Sequence, residues 1–446
     1  MSIRKFAQGK SIAMKKIISL LLFAAVSVSL IAQTGRTYFK SSELPDLVKC
    51  LPAPPEKGSP AFKYDLERYK WGKQQRNDPA RAEMTRADAV WSYEALLEQL
   101  SPAFGMAVSR QDTPKIWRVL ENSLMTIDPI RVEPKAYYHR LRPFEYFKES
   151  TFTGEDDALR GEGSYPSGHT IRAHLAALLL AEINPARANE IYARAWEYGE
   201  SRVIAGAHWQ SDVDMSRVAA SIGYAALQAN GTFRKQMASA REEFRSKVLV
   251  SLEKAVPDAI LEIRYFSTYN FVGKRIDGYR APTAYLTRQA ADSLKAVSDD
   301  VMRMGYRLKI YDAYRPQRAV DHFVRWAADV ADTTMRRYFY PDVDKSRLFD
   351  EEYIMAKSGH TRGSTVDLTL FDMTTEKELD MGGTFDWFGI ESHPDYTGIT
   401  PEQYANRMIL REAMLRHGFK PLPTEWWHFT LKDEPFPDTY FNFPVK

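Results

Sequence analysis

Cysteine is all but missing: Cys50 is alone among 446 residues, so neither an internal disulfide nor a four-cysteine zinc site can form. A dominant charge is missing too. There are 61 Lys and Arg against 58 Asp and Glu, a net of +3. Five of the cations (Arg4, Lys5, Lys10, Lys15 and Lys16) fall in the first 32 residues, which hold no acid; taking those five from +3 leaves −2 on the remainder. No field attracts a polyanion, and nucleic acid is not an expected partner. Internal repeats and low-complexity tracts are absent as well. With 44% apolar and 27% charged residues, the composition excludes a disordered tail protein, a collagen-like fibre and a multi-span membrane protein. What is present is enough chain for two or three globular domains.

The basic lead runs into a charge-free, mostly apolar stretch, residues 17–32. That is shorter than the roughly 18–20 residues that cross a bilayer. A basic lead, a short apolar run and then small or polar residues predict a secretory signal peptide over 1–32, cut between Ser29 and Gln33. The expectation is a periplasmic or secreted protein with no membrane span after cleavage.

Beyond the leader the chain has two textures. Residues 34–80 are rich in Pro, Gly and charge and read as an irregular lead-in. From Glu83 to about Ala255 the pattern is mostly helical, with apolar residues at helical spacing over 84–100 and 170–183 and another helical stretch over 234–255. After Val256 and Pro257 come a helix over 287–304 and short β-prone runs at 308–311, 365–370 and 427–431. The pattern predicts a mainly helical domain followed by an α+β domain, with the boundary near 245–257.

Three segments of the helical half carry cations and histidines: Lys135 to Pro143, Tyr165 to Thr170, and Ser201 to Asp212. Phosphoryl transfer needs fixed positive charge on the non-bridging oxygens, an in-line nucleophile and an acid for the leaving oxygen. Lys135, Arg142 and Arg202 can supply the charge. Ser167 and Gly168 precede a predicted helix start, where backbone amides favour an anion. His208 and Asp212 are four apart, so on a helix the carboxylate shares a face with the imidazole.

Read together, the segments spell Lys-x6-Arg-Pro, Pro-Ser-Gly-His and Ser-Arg-x5-His-x3-Asp. This resembles the type-2 phosphatidic acid phosphatase superfamily, and within it the class A bacterial acid phosphatases, over about residues 36–245. The resemblance implies that His208 attacks phosphorus to give a phosphohistidine, and that His169 protonates the leaving group and then activates water. It also implies that Asp212 holds His208, and that Lys135, Arg142, Ser167, Gly168, Arg202 and Arg140 bind phosphate, with no cofactor. His139 and His174 fit no motif position and are taken as structural.

The other half carries Ser358, His360, Gly363 and Asp367 in one run, and Glu425 with His428 in a later one. His360, Asp367 and His428 make a three-ligand set of the zinc type with an open position. Glu425, three residues before a ligand, is placed to take a proton from a metal-activated water. Arg315, in the run from Tyr311 to Pro316, can neutralise an oxyanion. Gly363 suits a tight turn between the first two ligands. The segment 258–446 resembles the zinc D-alanyl-D-alanine dipeptidases of the vancomycin-resistance type. It does so through 269–273, 312–318, 358–370, 381–386 and 425–429. The resemblance implies one Zn2+ on those three ligands, Glu425 as base and acid, and Arg315 as oxyanion partner. It further implies that Ser358 and Asp386 hold the substrate, with Asp386 facing its free ammonium.

The expected molecule is a multidomain, exported, two-headed hydrolase. A signal peptide (1–32) is followed by an all-α acid phosphatase domain (33–246) and an α+β zinc peptidase domain with a small, mainly antiparallel sheet (247–446). Its expected substrates are D-Ala-D-Ala and phosphate monoesters. Two alternatives stay open at this point: a D,D-carboxypeptidase acting on wall stem peptides, and a binding module in place of one of the enzymes.

Overall fold

In the computed structural model, residues 36–351 and 353–446 are described; the expected signal peptide lies outside them. The chain divides into two compact units. Described residues 36–182 and 189–240 make the first, and 183–188 with 241–446 the second.

The first unit is helical. Its principal helices are α1 (Pro60–Gln75), α2 (Pro79–Ala87), α3 (Tyr93–Phe104), α4 (Pro114–Ile127), α5 (Val132–Tyr138), α6 (Pro143–Phe147), α7 (Gly168–Ile183), α8 (Ala188–Ile204) and α9 (Gln210–Ala229), and α10 (Gly231–Val248) begins in it and passes into the second unit after Ala240. Two sequence expectations change here. Residues 34–80 are not irregular throughout: Ser59 caps α1 by accepting from the Phe62 amide, and Pro60 occupies its first turn. The buried face of α1 is Phe62, Asp65, Tyr69 and Gly72, so a carboxylate and a glycine interrupt the apolar spacing that would have announced it. The expected helix over 84–100 is two helices. The chain breaks at Asp88, which is buried against Arg194 and Ser201, and Ser92 caps the restart. Phe62 and Tyr69 of α1 pack on Trp209, at the N-cap of α9, with Tyr146 and Phe147 against them. This aromatic cluster ties α1 to the segment that carries His208 and Asp212.

The second unit is α+β. Its strands are β1 (Leu249–Ser251), β2 (Ile260–Leu261), β3 (Tyr285–Thr287), β4 (Tyr306–Asp312), β5 (Thr365–Asp372), β6 (Lys377–Glu378), β7 (Phe419–Leu422) and β8 (Glu425–Leu431). The main sheet runs β2-β4-β5-β8-β7 with β6 on β5, and only the β2–β4 pair is parallel. β1 and β3 form a separate antiparallel pair, so the stretch expected to stay helical to 255 leaves the helix after Val248. α11 (Arg288–Arg303) is capped by Thr287 and buries Ala290, Ala291, Leu294, Val297 and Val301, one stripe at helical spacing. α12 (Gln317–Ala328) and α13 (Pro401–Arg416) complete the layer. Among the described residues no helix is long and apolar enough to cross a membrane.

Candidate active sites

Helix ends build the first site. Lys135 projects from α5 and Arg142 is the N-cap residue of α6. Ser167 precedes α7 and Arg202 lies in the last turn of α8. His208 sits just before α9, and Asp212 is the third residue of that helix, where its carboxylate accepts from the Trp209 amide at 2.8 Å. All these side chains are buried. Arg142 Nη1 donates to Ala207 O and faces His208 Nε2, each at 3.0 Å, so the lone pair of Nε2 points at a guanidinium. Arg202 gives Nη2 to Glu155 at 2.7 Å, but its Nε and Nη1 are buried and find no hydrogen-bond partner among the described residues. A buried guanidinium with two unmet donors is costly unless an anion completes it. Gly168 is needed for space: a Cβ there would stand 2.8 Å from Arg131 Cδ and 3.2 Å from the Trp91 ring.

The electrostatics follow from that crowding. Burial, then Arg142, Lys135 and Arg202, hold His208 well below the usual imidazole range. Burial, then Arg202 and His208, do the same to His169. Burial and Arg142 bring Lys135 down to about 8. Both shifts favour the neutral imidazoles, and Arg202, paired with Glu155 through Nη2, keeps two donors without partners among the described residues.

Some expected roles land differently. Arg140 does not open on the cradle: it is clamped between Asp65 (2.7 Å) and Asp212 (2.5 Å) and also donates to Ser211. The Ser167 amide donates to Ser216 Oγ at 2.7 Å, while Ser167 Oγ receives the Thr170 hydroxyl. Asp212 Oδ2 is 3.6 Å from His208 Nδ1, too long for a hydrogen bond. His169 Nε2 lies 3.1 Å from Ala89 O, with Trp91 edge-on at 4.6 Å.

A row across the sheet builds the second site. The register pairs Asp312 of β4 with Asp367 of β5, and Asp367 with His428 of β8, so three strands present one line of polar side chains. Residues three apart on a regular strand face opposite ways. Pairing with β7 shifts at Leu422, and Glu425 comes round to put Oε2 3.4 Å from His428 Nδ1. His360 enters from the turn Gly359–Arg362, which Gly363 closes at φ +81°. Ser358 caps that turn, its Oγ accepting from the His360 amide at 3.3 Å.

His360, Asp367 and His428 bring one ligand atom each within 4.8 Å of one another. His360 Nε2 is 3.1 Å from Asp367 Oδ2, and His428 Nδ1 is 3.1 Å from Asp367 Oδ1. His360 Nδ1 is fixed 2.7 Å from Ala313 O, which turns the lone pair of Nε2 inward. Asp367 Oδ1 is buried, and His428 Nδ1 stands beside it at 3.1 Å without the alignment of a hydrogen bond. Burial opposes charge on Asp367, but the two imidazoles outweigh it and hold its carboxyl far below the usual range. Burial would lower His428 as well; Asp367 and Glu425 reverse this and raise it to about 9. Two imidazoles and a carboxylate sharing protons this closely suit a divalent cation.

Around the cluster, Arg315 Nε donates to Asp312 Oδ2 at 2.9 Å and Nη2 lies 3.5 Å from Asp367. Asp386, at φ +61°, receives the Tyr265 hydroxyl at 3.0 and 3.1 Å. Burial, then Asp367, raises the Asp386 carboxyl well above its ordinary range.

Several residues went unmarked in the sequence. Asp312 sits inside the Tyr311–Pro316 run, three before Arg315, and that spacing was its available signal. Asp65, Glu155, Glu162 and Tyr265 carry no local signal, because each takes its place from a partner far along the chain.

Two family models match, each to one half: the PAP2 superfamily over residues 121–234, and a D-Ala-D-Ala dipeptidase family over 245–446. A non-specific acid phosphatase of Salmonella typhi is 44% identical over 199 residues, 44% of this chain and 79% of that protein. The chain is 41% identical to a D-alanyl-D-alanine dipeptidase of Streptomyces coelicolor over 184 residues, 41% of this chain and 91% of that protein. It is 37% identical to one of Enterococcus faecium over 195 residues, 44% of this chain and 96% of that protein.

Proposed function

Since the chain belongs to the non-specific acid phosphatases of the PAP2 superfamily through its first half and to the D-alanyl-D-alanine dipeptidases through its second, we propose that it is one exported enzyme with two hydrolytic sites. Residues 33–246 would hydrolyse phosphate monoesters, and residues 247–446 would cleave D-Ala-D-Ala to two D-alanines. One observation carries this. Each half gathers buried charge of one kind: the guanidiniums of Arg142 and Arg202 with Lys135 in one, and the Asp367 carboxylate between two imidazoles in the other.

In the phosphatase half, Lys135, Arg142 and Arg202 bind the phosphoryl oxygens, assisted by Ser167 and Gly168. His208 Nε2 forms a bond to phosphorus as the ester oxygen leaves, and His169, which takes up a proton when the phosphoryl anion offsets the charge of Arg202, gives that oxygen the proton. His169 then takes a proton from water as the water oxygen displaces the histidine, returning inorganic phosphate. Asp212 stabilises the charge that develops on His208.

In the dipeptidase half, His360, Asp367 and His428 would hold one zinc ion, which when bound supplies a Lewis acid and an acidified water. Glu425 accepts the proton lost in the attack on the peptide carbonyl and returns it to the departing amine. Arg315, set by Asp312, faces the oxyanion, while Ser358 and Asp386 hold the dipeptide, with Asp386 on the free ammonium. A blocked N-terminus leaves that carboxyl without its partner, which favours a dipeptide over a longer wall peptide. Export rests on the basic lead and apolar run of residues 1–32.

The test is D-alanine release from D-Ala-D-Ala and from its N-acetyl derivative, beside acid-labile phosphate trapped on the chain during turnover of a phosphomonoester. Release from the free dipeptide alone, abolished by Glu425→Ala, and trapping abolished by His208→Ala are expected. Equal cleavage of the blocked dipeptide removes the Asp386 role; no trapping removes the phosphohistidine.

A further inference from the structure

The three cations of the phosphate cradle are not equally available. Arg202 has two buried donors without partners among the described residues. Arg142 and Lys135 are capped, and largely by one short loop. Arg142 Nε donates to Glu162 O at 3.0 Å and Nη2 to Glu162 Oε2 at 3.1 Å. Lys135 Nζ donates to Gly163 O at 2.7 Å and lies 3.3 Å from Glu162 Oε1. Arg131 Nη1 completes the ring at 3.2 Å from the same oxygen. One carboxylate thus meets three cations, and the other guanidinium nitrogen of Arg142 faces His208 Nε2 at 3.0 Å.

This carboxylate differs from the acids that build the site. Asp65 and Asp212 are fully buried, whereas the Glu162 side chain is 41% exposed. Gly163 beside it is pinned, because a Cβ there would stand 2.3 Å from Lys135 O; Gly161 on the other side has open space around it. The backbone is held while the side chain borders water. A side chain that borders water has room to turn toward it, and two of the three cations it meets, Lys135 and Arg142, are those assigned to the phosphoryl group.

We propose that Glu162 is an internal anion that covers the Lys135–Arg142 side of the cradle in the resting enzyme and is displaced by the incoming phosphoryl group. It thereby sets the affinity for phosphate esters and for the phosphate product. The inference rests on the phosphatase reading above and adds to it a residue that tunes binding through the cations without touching the reacting atoms. An ester must exchange one carboxylate for its own oxygens, so part of the attraction is cancelled before binding begins. Product release gains from the same exchange, since Glu162 returns as phosphate leaves.

The test compares the full chain with Glu162→Gln, using p-nitrophenyl phosphate as substrate and inorganic phosphate as competitor at pH 6, where Lys135 is charged. Removing one half-exposed competing charge should lower KM and the phosphate inhibition constant together by about fivefold, with kcat changing less than KM. Glu162→Asp, one methylene shorter, should fall between the two. Phosphate binding by calorimetry reads the same ratio without turnover. A rise in both constants would show that Glu162 supports the cations instead of competing for them, and constants within twofold of the original would show that it does neither; each overturns the proposal. A wild-type chain that binds phosphate but hydrolyses no ester fails the phosphatase reading, while calorimetry still decides the role of Glu162.

Discussion

The two sites are opposite in sign and in construction. In the helical unit, cations from helix ends and loops surround a position lacking an anion. In the α+β unit, Asp367 and His428 on adjacent strands meet His360 from a turn. Helix termini suit the first task because their positions can be supplied by separate segments and their amides and dipoles favour negative charge. Sheet register suits the second, because neighbouring strands place ligand atoms a fixed few ångströms apart: Asp312, Asp367 and His428 are consecutive partners in one row. The lesson is that each site is marked by the sign of the buried charge it gathers, the guanidiniums of Arg142 and Arg202 on one side and the Asp367 carboxylate on the other.

The widest separation should come from reciprocal knockouts. His208→Ala should cut phosphomonoester turnover by roughly 10⁴-fold or more, with D-Ala-D-Ala hydrolysis unchanged. Glu425→Ala should cut dipeptide hydrolysis by about 10²–10⁴-fold and spare phosphatase turnover. Steady-state rates on both substrates check this, and a variant that lowers both would break the comparison. Next in size is Asp312→Asn. It loosens Arg315 without touching a ligand, and kcat/KM for D-Ala-D-Ala should fall about 10–100-fold at unchanged metal content, measured by elemental analysis.

A pH series separates the sites further. Lys135 is held near 8 by burial and Arg142, so it is charged below that value and neutral above it. Phosphomonoester KM should therefore rise about tenfold as pH climbs through 8, while His208, held well below the usual imidazole range, keeps its lone pair on the acid side. Lys135→Arg should remove the alkaline loss. The smallest effect is on stability. Gly363 sits at φ +81°, with a Cβ position 2.8 Å from Leu249 Cδ2. Gly363→Ala should cost about 1–3 kcal/mol, so dipeptidase activity survives less heating while phosphatase activity survives as before.

Much of this was legible from residues close together in the chain. Lys135, Arg142, His169, Arg202, His208 and Asp212 sit in three short segments, and His360, Asp367, Glu425 and His428 in two. The change from helical to α+β texture was legible too. What escaped shows why. Helix α1 hides its apolar face behind Asp65 and Gly72, and Asp65 is there because Arg140, 75 residues later, needs a second carboxylate. Arg140 looked like a phosphate ligand by position, yet two buried acids claim it. Glu162 reads as a loop acid until Arg131, Lys135 and Arg142 are seen around it. Sequence spacing reports which groups are carried together; it does not report which charges are already matched by a distant partner.

The central claim is that one chain holds an anion site needing no metal beside a metal-dependent site. The direct measurement is both activities on one preparation of the full chain: as isolated, after removal of metal by a chelator, and after zinc is returned. The account predicts that D-Ala-D-Ala hydrolysis disappears and is restored while phosphomonoester hydrolysis stays constant. Loss of both activities with the metal, or dipeptide hydrolysis that persists in chelated protein shown to be metal-free, would contradict it.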